Sequence, residues 1–176
     1  MTPDIKRARR AATKLITENG VRAAPVPVER IARRMGAQIR YAPLDGDLSG
    51  MATITGGVCI IGVNSLHPPQ RQRFTLAHEL GHHQLHRDIL ADKVHLDRGS
   101  LRRDWLSSQG LDAREIEANF FASELLMPTS LLEQALLGRQ IDFEDEGEVG
   151  QLARRFRVSP AAMRYRLIRA ATTEWG

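Results

Sequence analysis

The sequence predicts an α+β fold, with a small, mostly antiparallel sheet of about three strands packed against a long helix and followed by a helical C-terminal part. Segments rich in β-branched residues cluster between 37 and 64 and are separated by turn residues. Stretches of helical periodicity, punctuated by Pro, Asn and Gly, precede and follow them. Aromatic residues make up only 5% of the chain, so the core between these layers must be aliphatic.

Thr2-Pro3 is a helix start with Pro in the first turn, and Asn19-Gly20 is a stop, which predicts a helix over 3–19. Val26-Pro27 opens a second short helix that ends at Met35-Gly36. Strands are expected over 38–41, 49–55 and 58–63, with a turn at Asp45-Gly46-Asp47 and a hairpin turn at Gly56-Gly57. His67-Pro68-Pro69 ends the sheet and opens a long helix over 70–86. Residues 87–110 carry scattered charges and no period, and a loop that long in a compact domain is usually functional. Leu111-Asp112 starts a helix that runs to Met127, and Pro128 opens another through Leu137. The acidic segment 141–148 is a connector, and two final helices are expected over 147–156 and 160–171.

A chain of 176 residues fits one domain, or one domain with a short appendage. The single cysteine, Cys59, excludes an internal disulfide and makes a reducing cytosol the expected compartment. It lies among Val58, Ile60 and Ile61 and reads as a buried small hydrophobe, not a nucleophile. The basic N-terminus is followed by no apolar stretch, which predicts no secretory signal, and no run is long enough to span a membrane. The net charge of +4 is unevenly placed. Residues 1–40 hold ten Lys/Arg against three acids, 141–148 hold five acids and no base, and 151–170 hold six arginines and no acid. Such basic ends suit nucleic acid or an acidic partner, although solvated helix faces look the same.

Residues 78–82 read His-Glu-Leu-Gly-His. On a helix, His78 and His82 share one face a turn apart, the spacing that grips one zinc ion through two ring nitrogens. Glu79 is then placed to act as general base towards a water at the metal without being a ligand, the arrangement of a metallopeptidase. With 6 His and 11 Glu in the chain, chance supplies the pattern in roughly one shuffled sequence in a hundred. The competing reading is the polar face of an ordinary helix. Against it, Phe74, Leu76, Ala77, Leu80 and Leu85 make the segment apolar. Gly81, unfavourable inside a helix, signals close approach by another element.

A catalytic zinc takes three protein ligands and leaves one position open. On the helix over 111–127, Glu115 and Asn119 share a face with Ala118, Ala122 and Leu126 nearby. A carboxylate turned inward is costly unless paired or bound to a metal, which favours Glu115 as third ligand. Asn119, one turn on, is placed to accept a hydrogen bond from the distal N–H of a ligand histidine. Glu117 and Glu124 read as solvated. His95 and Asp97 are rival third ligands from the loop. A third histidine in the spacing His-Glu-x-x-His-x-x-Gly-x-x-His is excluded, because position 85 is Leu and position 88 is Asp. His83 and His86 read as surface or gate residues.

The run Asn64-Ser65, then Arg71 through His82, resembles the ImmA/IrrE metallopeptidases. So does Glu115-Ile116-Glu117-Ala118-Asn119-Phe120-Phe121-Ala122, followed by Leu125-Leu126-Met127-Pro128. The likeness covers about 48 to 170. It implies a zincin-like fold, one zinc ion, and Glu115 as third ligand beside His78 and His82. It also implies a helix-turn-helix repressor as partner and substrate, cleaved so that stress or mobile-element genes are expressed. Larger members carry a further C-terminal sensor domain, which this chain is expected to lack. The expected division is a zincin-like metallopeptidase domain over 1–145 and a helical hairpin over 146–176.

That hairpin, residues 151–169, has the pattern of a helix-turn-helix. Leu152, Ala153, Phe156, Val158, Ala162 and Leu167 would form its core, and Ser159 would cap the second helix. The alternative function is therefore a regulator that binds DNA or sequesters a repressor without proteolysis; packing on the peptidase core, or recognition of the partner, is favoured over DNA binding. An edge strand within 48–64 is expected to hold the substrate. Tyr41, Arg71, His86 and Arg103 are all open as the group stabilising the oxyanion.

Overall fold

The computed structural model describes residues 2–91, 93–98, 112–138 and 141–173. Helix α1 (Ile5–Glu18) starts at Asp4, whose side chain accepts from the Arg7 backbone N–H at 2.8 Å, so Asp4 and not Thr2-Pro3 caps it. It buries Ala8, Ala12, Leu15 and Ile16 along one stripe. Helix α2 (Val28–Arg34) buries Val28, Ile31 and Ala32. Gly20 and Gly36, both at positive φ, end these helices.

The sheet comprises β1 (Gln38–Ala42), β2 (Gly50–Thr55), β3 (Val58–Asn64) and β4 (His95–Asp97), in the order β1-β3-β2-β4. Strands β2 and β3 form the expected hairpin; Gly56 and Gly57 both adopt positive φ, as a tight two-residue turn requires. Two of the three pairings are antiparallel, as expected, and β1 runs parallel to β3. One feature departs from expectation. A fourth strand, β4, pairs antiparallel with β2 and arises from the segment expected to be loop. The same segment supplies α4 (Arg87–Leu90). A three-residue strand is too short to show a period, so its pairing is set by β2 and not by its own pattern. The result is that both strands within 48–64, β2 and β3, are flanked on both sides.

Helix α3 (Pro69–Leu85) packs on β2 and β3 and on α5 (Ala113–Leu126), which also covers α1. The α3–α5 crossing explains Gly81: a Cβ there would lie 3.0 Å from Phe121 Cδ1 and 3.2 Å from Ala118 Cα. The close approach signalled by this glycine is that of a second helix. Helix α6 (Thr129–Leu136) follows Pro128.

Helices α7 (Glu146–Phe156) and α8 (Pro160–Thr173) form the C-terminal hairpin. Asp145 caps α7, and Ser159 Oγ accepts from the Ala162 N–H at 3.2 Å, as expected of it. Leu152, Ala153, Phe156, Val158 and Leu167 are buried, with Ala162 packed against them. Arg166 is fully buried: its Nε donates to Met127 O, and its Nη2 donates to Glu124 Oε2 at 3.1 Å and Thr129 Oγ1 at 2.8 Å. Arg169 lies over the Phe120 ring at 3.9 Å. Glu124 is therefore a buried ion-pair partner, not the solvated carboxylate expected, because a cation distant in sequence compensates it. Among the described residues, no helix is long and apolar enough to cross a membrane.

Candidate metal centre

Helix α3 presents His78, Glu79 and His82, all with no exposed surface. The close crossing at Gly81 brings the first turns of α5 beneath them. Glu115 Oε2 then lies 3.4 Å from His78 Nε2, and Glu115 Oε1 lies 3.3 Å from His82 Nε2. The two Nε2 atoms are 3.1 Å apart. Ligands held at the usual zinc distances in a tetrahedron are about 3.3 Å from one another, so the three donors form one face of such a tetrahedron.

The distal nitrogens fix the tautomers. His78 Nδ1 donates to Asn119 Oδ1 at 2.9 Å. His82 Nδ1 lies 3.2 Å from His86 Nδ1, and His86 Nε2 lies 2.9 Å from Glu117 Oε2. If His82 donates through Nδ1, His86 accepts there and donates its remaining N–H to the carboxylate. Glu117 Oε1 accepts in turn from the Asp4 N–H at 2.8 Å. When both rings are neutral and protonated at Nδ1, the facing Nε2 atoms offer two lone pairs. Two lone pairs converging on a carboxylate suit a divalent cation.

The electrostatics agree. Burial opposes charge on His78, but the Glu115 hydrogen bond and the fields of Glu79, Asp97 and Glu115 outweigh it and raise its pKa to about 9. Burial drives His82 down to about 3. Although burial opposes it, hydrogen bonds from His78 and His82 hold Glu115 well below the usual carboxylate range. The pocket thus stabilises one positive charge at its centre. Glu79 is pushed up to about 8, chiefly by burial, with His78 opposing and Asp97 and Glu115 adding to the rise. Both Glu79 carboxylate oxygens are buried without a hydrogen-bond partner among the described residues. Gly50 makes room for them: a Cβ there would overlap Thr75 Cγ2 and lie 3.4 Å from Glu79 Oε1.

The model of the IrrE N-terminal-like domain of peptidase family M78 matches residues 32–168. The chain belongs to the peptidase M78 family. The matched span contains α3 and α5, hence all the donors above, while α1 lies outside it. Among solved structures, a Mycobacterium tuberculosis transcriptional regulator is similar at 21% identity and a TM-score of 0.57. The alignment covers 90% of this chain and 45% of that one, so the chain spans about half the length of that protein, and the likeness is one of fold. No curated protein matches the chain.

Other candidates fall into place around this M78 centre. His95 and Asp97, the rival ligands, both turn towards it from β4: His95 lies 3.6 Å from Glu115 Oε1, and Asp97 groups with His78 and Glu79. His86 and Glu117 are not surface groups but the buried support of His82. His83 is buried too, 3.2 Å from an Arg87 nitrogen. Of the oxyanion candidates, Tyr41 donates its hydroxyl to Glu29, Arg71 donates to Ser49 Oγ, and His86 is occupied as described. Arg103 lies outside the described residues. Cys59 is buried, and burial pushes its thiol up to about 11, as befits a packing residue.

Proposed function

We propose that this M78 chain is a zinc-dependent endopeptidase in which His78, His82 and Glu115 hold the metal and Glu79 is the general base. The observation that carries the reading is Glu79, a fully buried carboxylate whose oxygens have no hydrogen-bond partner among the described residues, beside three converging donors. A protein that only binds its partner has no use for so costly a group.

Zinc, when bound, supplies a Lewis acid that polarises the scissile carbonyl and acidifies water. Glu79 takes the proton of the attacking water on a carboxylate oxygen. The water oxygen bonds to the carbonyl carbon, the C–N bond breaks, and Glu79 returns the proton to the leaving amine. Asn119 keeps the His78 proton on Nδ1, so that Nε2 remains a donor. His86 and Glu117 do the same for His82.

The substrate proposed is a helix-turn-helix transcriptional repressor encoded nearby, with derepression of stress or mobile-element genes as the outcome and the cytoplasm as the compartment. In support of a role for α7–α8 in packing or partner recognition instead of DNA binding, three of its six arginines are engaged internally. Arg164 donates to Phe143 O, Arg166 is paired with Glu124, and Arg169 lies on Phe120. Incubating the protein with the repressor encoded beside it, with zinc and then with a chelator, tests the reading. Chelator-sensitive cleavage at one site is expected; an intact repressor at full zinc loading sinks it.

A further inference from the structure

We propose that His95 is a fourth protein ligand, so that the resting metal site is closed and opens only when β4 leaves. The inference rests on the zinc reading above. His78, His82, His95 and Glu115 each offer one donor atom, and all four donors lie within 4.8 Å of one another. His95 Nε2 is 3.6 Å from Glu115 Oε1, and the His95 ring centroid is 4.2 Å from that of His82. The Nε2–Oε1 separation is close to the edge of a tetrahedral zinc ligand set, about 3.3 Å. The Nε2 atom is buried and has no hydrogen-bond partner among the described residues, an expensive state for an imidazole nitrogen unless something binds it.

The sheet explains why the ring is there. Pairing of His95, Leu96 and Asp97 with Ala52, Met51 and Gly50 fixes the register of β4. Side chains alternate along a strand, so His95 and Asp97 share one face and Leu96 takes the other. Leu96 is 42% exposed, whereas Asp97 is 7% exposed and sits in the cluster with His78 and Glu79. Strand β4 therefore brings one imidazole to the metal donors and one carboxylate to the general base.

The consequence concerns substrate entry. Strand β4 occupies the edge of β2 over Gly50–Ala52 and carries His95 to the metal donors. A substrate segment adding to β2 as a strand takes the place of β4, and His95 then yields its coordination position to water. Four protein ligands make a closed, inert zinc site, whereas three leave the position that catalysis needs.

The test uses the full chain, with cobalt(II) in place of zinc for spectroscopy and zinc affinity measured against a chromophoric chelator. The wild-type cobalt spectrum is expected to be tetrahedral and insensitive to added azide. His95→Ala is expected to weaken zinc at least about tenfold and to make the cobalt spectrum respond to azide. Leu96→Ala, on the same strand, is expected to do neither. Unchanged affinity and azide response in His95→Ala overturn the inference, and so does an equal loss in Leu96→Ala. If the wild type takes up no metal and His78→Ala behaves like it, the zinc reading itself fails, and the inference with it.

Discussion

His86 Nε2 lies 2.9 Å from Glu117 Oε2, and the other nitrogen of the same ring is 3.2 Å from His82 Nδ1. The chain continues through Glu117 to the Asp4 N–H at the start of α1, so the metal centre is tied to a helix outside the matched family span. Removing such support leaves the ligands present but poorly oriented. His86→Ala and Glu117→Ala are expected to weaken zinc about 10- to 100-fold by chelator competition without abolishing binding. Glu117→Ala is also expected to lower Tm, because it leaves the buried His86 N–H and the Asp4 N–H without their acceptor.

Gly81 sets the distance between the two halves of the site. A methyl at this position meets the Phe121 ring and the Ala118 backbone, and the backbone cannot rotate away. Gly81→Ala is expected to cost about 1–3 kcal/mol in denaturant unfolding. Because α5 must shift to admit it, zinc affinity is expected to fall with stability, although no ligand is changed.

Burial of Glu79 makes the metal-free protein sensitive to pH. Its pKa rises from the ordinary 4.5 to about 8, so the folded state holds a proton that the unfolded chain has lost. Wherever the folded state binds more protons, stability falls as pH rises. The Glu79 contribution is thus present below about pH 4.5 and is lost as pH climbs through about 8. Metal-free Glu79→Gln lacks this loss, and its Tm is expected to exceed that of the wild type by a margin that widens across this window. A margin that stays constant with pH contradicts the assignment.

Arg166 and Glu124 join α8 to α5 through a fully buried pair. Arg166→Met leaves the carboxylate, among the described residues, with only Arg169 at 3.6 Å and Thr129, and is expected to cost about 3 kcal/mol. Adding Glu124→Leu removes the orphaned charge and is expected to recover most of the loss, as a double-mutant cycle in denaturant would report.

Local chemistry made much of the fold legible in the sequence. The Gly56-Gly57 turn, the proline that opens α3 and the Ser159 cap each act within a few residues, and the structure has them where the pattern put them. Gly81 was legible as a close approach because a helix keeps an interior glycine only for a packing reason. Strand β4 was not legible, since its three residues acquire their conformation from β2. The same physics hid Glu117 and Glu124. A carboxylate reads as solvated until its partner is known, and theirs are the Asp4 amide and the Arg166 guanidinium, far away in the chain. The pairing of His78 with His82 could be inferred from a helical spacing, whereas Glu115 was only favoured over His95 and Asp97 until the family resemblance was added, and the nearness of His95 could not be told from that of Asp97 without the sheet register.

The central claim is that Glu79 does the proton transfer while His78, His82 and Glu115 do the binding. The most direct measurement is cleavage of the repressor by zinc-loaded Glu79→Gln, with metal content determined on the same sample. The expected result is one zinc per chain, as in the wild type, and no detectable cleavage. Cleavage by Glu79→Gln at the wild-type rate contradicts the account.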